Sequence, residues 1–429
     1  MEQQREEIES NKIYEQAFEW RFEFPALLDE DGNFTGFDII IGNPPYNELR
    51  DLDLSVQEGL KTTIYFESAK GGRLNMFQFF YPLSLDVAKN NGIISLITQN
   101  SILAESSTLG NRKLFLDNTD ILSIDSFPER DNTRTRVFES VKMSVCICTL
   151  KKNLSSNPNA VIPITVWHSK FMNESHSLKI TKQEIIDIYP DEYIFPICSN
   201  ESFAVLKKLI ARKEYSITAS AGEIDMTKYR PYFNLTKNGD RVLTGAQILR
   251  YAITDKPSQG EVYYLERKHQ SFSSKRTSEI QNPRIVLQRI TGVDSRIRII
   301  ATYSDKCHLC ANSTNYIVPT MSVNSLYLLG VINSTLINFF VKQTSTNTNI
   351  TSKVIGSFPI IISNKIAQTA ISKIVSGILQ AKQTNNKDTT NDELQVDLLV
   401  YHLYGLTYDE VLIVDPETPI TRDEYEKEQ

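Results

Sequence analysis

Asn43, Pro44, Pro45 and Tyr46 follow directly on the apolar run Phe37-Asp38-Ile39-Ile40-Ile41-Gly42, and that order of residue types suits one kind of chemistry. Two successive prolines interrupt helix and strand and remove two backbone donors. A loop built on them is stiff and rich in carbonyl acceptors, with no adjacent N–H competing for them. The Asn43 side-chain oxygen and the Pro44 backbone carbonyl form an acceptor pair able to hold both hydrogens of an amino group. An amine conjugated to a ring is a poor nucleophile because its lone pair is delocalised, and holding both hydrogens favours the pyramidal geometry needed for attack. Tyr46 adds a flat face for a planar group, a contact worth about 0.5–1.5 kcal/mol beyond the area it buries.

Such a loop must be held at the end of a rigid element. Residues 37–41 read as a short buried strand, because apolar and β-branched residues are bounded by Gly36 on one side and by Gly42 and the prolines on the other. The pattern continues with a helix over 74–89, a strand over 93–98, a helix over 109–118, and strands over 121–127 and 141–150. The polar stretch 151–159 reads as an interdomain connection, and beyond it short strands and turns run to about residue 320. A helix is expected over 366–382, then another over 393–404 stopped by Gly405, and a last one opened by Thr407-x-x-Glu410 at capping-box spacing.

The chain resembles adenine-specific DNA methyltransferases of the TaqI-like type and the methylase-specificity portions of type IIG restriction–modification proteins. The resemblance runs nearly end to end. It rests on Asn43-Pro44-Pro45-Tyr46; on the lead-in Phe18-Glu19-Trp20-Arg21-Phe22-Glu23-Phe24-Pro25 followed by Gly36-Phe37-Asp38; on Asn75-Met76-Phe77-Gln78-Phe79-Phe80; and on residues 92–101 and 136–145. Residues 243–251, 282–292 and 327–340 resemble parts of the family's target-recognition domain. The fold implied is α/β, the second half of a doubly wound class I methyltransferase sheet, followed by an α+β target-recognition domain and C-terminal helices. The expected divisions are 1–151, 152–365 and 366–429. By the same resemblance the function is methylation of the adenine amine in duplex DNA after base flipping, within a restriction–modification or defence system. Asn43, Pro44, Pro45 and Tyr46 form the catalytic loop, and Phe138 lines the target-base pocket.

The net charge of −6 argues by itself against a nucleic-acid partner, but its distribution does not. Residues 225–301 hold fourteen Lys and Arg against seven acidic residues, whereas residues 387–429 hold twelve acidic residues against three basic ones. Such asymmetry is the footprint of a phosphate-binding face. The candidate DNA contacts are Lys228, Arg230, Arg241, Arg250, Arg267, Lys268, Lys275, Arg276, Arg284, Arg289, Arg296 and Arg298. Cys307-His308-Leu309-Cys310 has the spacing of half a zinc site with no second half, so no metal is expected. Five scattered cysteines argue against disulfides. No apolar stretch approaches the ~20 residues of a spanning helix, and the acidic start is no secretory signal, so a cytoplasmic location and no membrane association are expected.

The cofactor implied is S-adenosyl-L-methionine, but the family's glycine-rich loop after its first strand, and the acid after its second, have no counterpart in the sequence. Weak binding by the chain alone and a complementing N-terminal methylase segment are therefore expected, with residues 37–41 as an exposed sheet edge. Two other readings stand beside this one: a non-catalytic DNA-recognition subunit or remnant, and a protein glutamine methyltransferase. The second is disfavoured by the long C-terminal region.

Overall fold

The structure, a computed structural model, describes residues 18–69, 72–155, 157–292, 296–320, 323–344, 349–385 and 388–427. The expectations that fall on residues 1–17 lie outside these. The chain divides into two compact units, Met1–Phe195 and Pro196–Gln429.

The first unit is built on a six-stranded sheet in the order β1-β2-β4-β3-β5-β6. Its strands are β1 (Phe37–Gly42), β2 (Ala88–Gln99), β3 (Thr119–Phe127), β4 (Val145–Lys152), β5 (Val161–Trp167) and β6 (Ser175–Thr181). β1 pairs parallel with β2, β3 with β5, and β4 runs antiparallel to both β2 and β3. The carboxyl ends of β1, β2, β3 and β5 therefore share one edge of the sheet. Helix α1 (Phe77–Val87) leads into β2, and α2 (Leu109–Asn118) connects β2 to β3. Ile94 and Leu96 of β2 alternate into the core, as do Ile121 and Ile124 of β3 and Cys146, Cys148 and Leu150 of β4.

Gly36 permits the tight entry into β1. Its φ is +89°, and a Cβ there would stand 2.8 Å from the Lys89 amide nitrogen and the Val87 carbonyl oxygen. Ahead of it, Trp20, Phe24, Phe34 and Phe37 pack ring on ring, with Phe24 and Phe37 edge to face at 5.0 Å.

The expected connection at 151–159 does not end the sheet. β4 extends to Lys152, and the hairpin β5–β6 adds two strands beyond β3. The alternating burial of β5 is the reason: Ile162, Ile164 and Val166 point inward, a pattern half hidden by Pro163 between them.

The second unit holds two four-stranded sheets. One has the order β15-β9-β12-β8 and the other β14-β13-β16-β7. The strands are β7 (Ala219–Ala221), β8 (Phe233–Asn234), β9 (Asp240–Leu243), β12 (Tyr263–Leu265), β13 (Arg284–Gln288), β14 (Ala301–Ser304), β15 (Leu309–Cys310) and β16 (Thr314–Ile317), and a small hairpin pairs β10 (Ile248–Leu249) with β11 (Ala252–Ile253). The segment 327–340 spans two helices, α3 (Ser325–Asn333) and α4 (Thr335–Thr344), bent by 56°. Ser334 between them is extended, and its hydroxyl oxygen accepts the Ile337 amide while donating to the Val331 carbonyl, so it caps the second helix. No single helix among the described residues is long and apolar enough to cross a membrane.

The long helix α5 (Lys365–Asn385) packs on α3, where Gly330 lets it approach: a Cβ there would stand 2.8 Å from Ile371 Cγ2. Helices α6 (Thr390–Leu403) and α7 (Tyr408–Val414) follow, with Gly405 at φ +62° just after the first and a full Thr407–Glu410 capping box opening the second.

Candidate active site

Asn43 is the first residue past the end of β1. It is exposed, Pro44 is buried, Pro45 is exposed and Tyr46 is half-buried. Burial of Pro44 pins the loop against the unit, while Asn43 beside it stays exposed. Among the described residues none donates to or accepts from the Asn43 side chain, and none donates to the Pro44 carbonyl. The acceptor pair is thus uncommitted.

Tyr46 is anchored. Its hydroxyl donates to the Ile97 carbonyl on β2 at 2.9 Å, and its ring meets the fully buried Phe77 edge to face at 6.3 Å between centroids. Burial, with a smaller contribution from nearby Cys146, pushes its pKa up to about 12, so the phenol keeps its proton and remains a donor. Cys146 is itself held well above the usual thiol range by burial. Beyond the loop the chain pairs with the segment before α1: Met76 N–H donates to the Asn47 carbonyl at 2.9 Å and Leu49 N–H to the Leu74 carbonyl at 2.8 Å. Buried Gln78 locks that segment, accepting from Asn75 N–H and donating to the carbonyls of Ala69 and Ser107.

Phe138 lies on the loop between β3 and β4, 95 residues after Asn43 in the chain, yet its ring is 6.2 Å from that of Tyr46 at an angle of 55°. The loop is stiffened by Arg136, 8% exposed, which donates to the carbonyls of Arg130 and Glu139. An exposed amide therefore ends β1 at the carboxyl edge of the sheet, and, three residues on, the Tyr46 ring stands against that of Phe138. The arrangement can clamp a planar ring and hold an amino group on it.

For S-adenosyl-L-methionine the fit is partial. Among the described residues β1 is the edge strand and pairs with β2 alone, and Ile39 and Ile41 are 61% and 79% exposed. Among the described residues no glycine-rich turn follows β1, β2, β3 or β5. The residues that fit are those on the side of the acceptor amine, Asn43 and Pro44.

The twelve candidate DNA contacts separate by burial. Arg284 and Arg298 are each 1% exposed, which removes both from any phosphate-binding face. Arg284 pairs with the equally buried Glu223 at 3.3 Å, lies over the Tyr316 ring at 4.4 Å and donates to the His308 carbonyl. The physical reason is the strand that carries it: β13 is covered on both faces, so its first residue needs an internal counter-charge. Arg241, Arg250 and Arg276 are also used internally, by Asp255 and the Thr254 carbonyl, by Glu393 at 3.0 Å, and by Tyr316 and the Ala221 carbonyl. Arg289 donates to the Asn312 carbonyl.

Lys228, Arg230, Arg267, Lys268, Lys275 and Arg296 are exposed. Arg267 and Lys268 border a cleft of about 400 Å³ with Asn238, Gly239, Asp240 and Glu266. Next to it Tyr232 stacks on His269 at 4.5 Å, a pair that the charge count did not single out. Its trace in the sequence is the interleaving of bases and rings in Arg230-Pro231-Tyr232 and Arg267-Lys268-His269.

Cys307-His308-Leu309-Cys310 does not gather into a ligand set. Cys310 is buried in β15 with its thiol pushed up to about 12, and His308, bonded to the Ser304 hydroxyl at 2.9 Å, is driven down to about 4 by burial and by the nearby Arg241. Among the described residues no three metal-ligating side chains converge.

Residues 1–133 match the Eco57I restriction-modification methylase family, and residues 240–360 match the TaqI-like C-terminal specificity domain. The chain thus carries one segment similar to restriction–modification methylases and one similar to their TaqI-like specificity domain. Along 90% of its length it is 24% identical to a Methanocaldococcus jannaschii protein described as a type II restriction enzyme and methyltransferase, and it spans 32% of that relative. Among solved structures, the type IIL restriction-modification enzyme MmeI in complex with DNA shares the fold at a TM-score of 0.55 and 14% identity, covering 91% of this chain and 57% of that one. The ATP-dependent type ISP enzyme LlaBIII bound to DNA aligns more weakly, at a TM-score of 0.46 and 12% identity, over 82% of this chain and 31% of that one. Asn43 and Tyr46 fall within the matched methylase segment, and Phe138 falls just after its end. The exposed bases Arg267 and Lys268 fall in the specificity segment.

Proposed function

We propose that the chain is the catalytic-loop and target-recognition part of an adenine-specific DNA methyltransferase of a restriction–modification system, of type IIG character. The observation that carries this reading is the uncommitted Asn43 amide at the end of β1, three residues before Tyr46, whose ring stands 6.2 Å from that of Phe138. An adenine turned out of the duplex stacks on these rings. The Asn43 side-chain oxygen and the Pro44 carbonyl accept its two amine hydrogens, which localises the lone pair on nitrogen for direct attack. The bound cofactor supplies an electrophilic methyl group. The methylated amine then sheds one proton to solvent, and no covalent bond to the protein forms.

The exposed bases of the second unit, Lys228, Arg230, Arg267 and Lys268, neutralise phosphates of the same duplex. A complementing methylase segment provides the nucleoside side of the cofactor site and pairs with β1. The reading is supported by the free edge of β1, with Ile39 and Ile41 facing solvent, and by the matched relative, of which this chain spans about a third. Like the cofactor-binding deficit of the isolated chain, a cytoplasmic location is part of this proposal.

The test is methylation of adenine-containing duplex DNA by the chain reconstituted with such a segment. Asn43→Ala should abolish methyl transfer while leaving duplex affinity within about tenfold, roughly 1.4 kcal/mol. Near-full turnover in that variant would defeat the assignment. Equal losses of rate and affinity would make the loop a docking element of a non-catalytic recognition subunit.

A further inference from the structure

The hairpin joining β5 to β6 ends in Lys170, Phe171 and Met172, and the two apolar side chains are 66% and 50% exposed. Single exposed apolar residues are common on protein surfaces, but two large ones side by side on a rigid tip are not. This tip is rigid. The Ser169 hydroxyl oxygen accepts the Phe171 amide at 3.2 Å and its hydrogen is donated to Asn173 Oδ1 at 3.0 Å, while Met172 N–H donates to the Ser169 carbonyl at 3.2 Å. Met172 sits at φ +54°, a left-handed conformation that side chains rarely adopt, so the turn keeps a strained residue where glycine would relieve it.

The topology places this tip. β5 runs in the same direction as β1, β2 and β3, so the turn after it emerges at the edge of the sheet where Asn43 stands. It is also bonded to the loop that carries Phe138: Lys170 N–H donates to the Thr135 carbonyl at 2.7 Å, and the Lys170 ammonium meets Glu139 at 2.9 Å. Between β1 and β5 lie four strand spacings of about 4.8 Å, a span of roughly 19 Å. For a duplex lying along that row, the span corresponds to about five to six base pairs at ~3.4 Å each.

We propose that the Lys170-Phe171-Met172 tip is an apolar wedge for duplex DNA, entering the helix about five to six base pairs from the base held at Asn43 and unstacking a base step there. The proposal rests on the reading of the chain as a DNA methyltransferase and adds to it a contact outside the specificity domain. Phe and Met are among the side chains suited to such insertion, which kinks the duplex. The bonds of Lys170 to Thr135 and Glu139 join the wedge to the base-clamping loop, so that a duplex seated on one is in register with the other.

The experiment uses the full chain and a mixed-sequence duplex carrying donor and acceptor dyes at its two ends. Binding of the unaltered chain should raise energy transfer, reporting a bend. The double variant Phe171→Ala/Met172→Ala should bind about tenfold more weakly and bend the duplex less, with the slope of log affinity against log salt unchanged because no charge is removed. Met172→Gly should lower affinity without lowering the melting temperature, since glycine adopts the turn freely. If the unaltered chain binds duplex and the double variant binds and bends it equally well, the wedge is overturned and the methyltransferase reading stands. A loss of affinity no greater than the loss of folded protein overturns it as well. If the unaltered chain itself fails to bind duplex, the DNA reading falls and the wedge with it.

Discussion

At the scale of single residues, the site is defined by which polar groups are already committed. Tyr46 is bonded to β2 and Arg284 to Glu223, whereas Asn43 has no partner among the described residues. Residue type alone does not separate these cases: an arginine beside a proline in a basic segment has the same sequence signature whether it faces phosphate or the core. The consequence for Arg284 is a stability effect and not a binding effect. Arg284→Ala leaves the Glu223 carboxylate buried without its counter-charge, and should destabilise the second unit by about 3–5 kcal/mol, read as a lower denaturation midpoint. Arg284→Lys should not restore the loss, because a lysine cannot reproduce the planar fork over Tyr316. A wild-type midpoint in the alanine variant, or a selective loss of duplex affinity, would contradict the burial.

Elements were legible where one face of a regular period is apolar. β1, β3 and α2 appear within two residues of the expected spans; β3 through its alternation, and β1, none of whose residues is buried, through an apolar run bounded by glycine and proline. The break between α3 and α4 was not legible, since both helices are buried almost all round and show no periodic polar face to mark where one stops. The joint is held by Asp397 of α6, which accepts the Thr335 amide at 2.7 Å and the Thr335 hydroxyl at 2.6 Å. Burial raises its pKa to about 6 against the opposing pull of Arg250 and of these hydrogen bonds. In this case the folded state holds the proton more tightly than the unfolded chain. The contribution is fully present below about pH 4 and is lost as pH rises towards 6 and beyond, a change on the order of 3 kcal/mol. The stability advantage of the native chain over Asp397→Asn, measured by denaturation from pH 4 to pH 7, should therefore shrink by about that amount as pH rises. A pH-independent difference would show that the carboxyl titrates normally.

At the scale of the whole molecule, the charge asymmetry of the sequence persists, but burial thins it. Of the twelve candidate cations six are exposed, and four of those, Lys228, Arg230, Arg267 and Lys268, lie in the segments that precede β8 and follow β12. If these four meet phosphates, changing all of them to glutamine should flatten the salt slope of duplex binding by up to about 3.6 units, at roughly 0.9 per phosphate. Fluorescence anisotropy of the full chain across a salt series measures this. A slope unchanged by the fourfold substitution would move the phosphate face elsewhere.

The sequence by itself determined the catalytic loop, because two prolines between an amide and an aromatic ring constrain the backbone locally, and the strand before them is marked by its own apolar run. It also determined the broad α/β order of the first unit, through periods that depend only on neighbours in the chain. Tertiary structure alone decided that Phe138 stands 6.2 Å from Tyr46, that β5 and β6 extend the first sheet, and that Arg284 and Arg298 belong to the core. Each of these depends on which surfaces the folded chain brings together and excludes from water, and contacts between residues far apart in sequence leave no period or spacing from which they can be read.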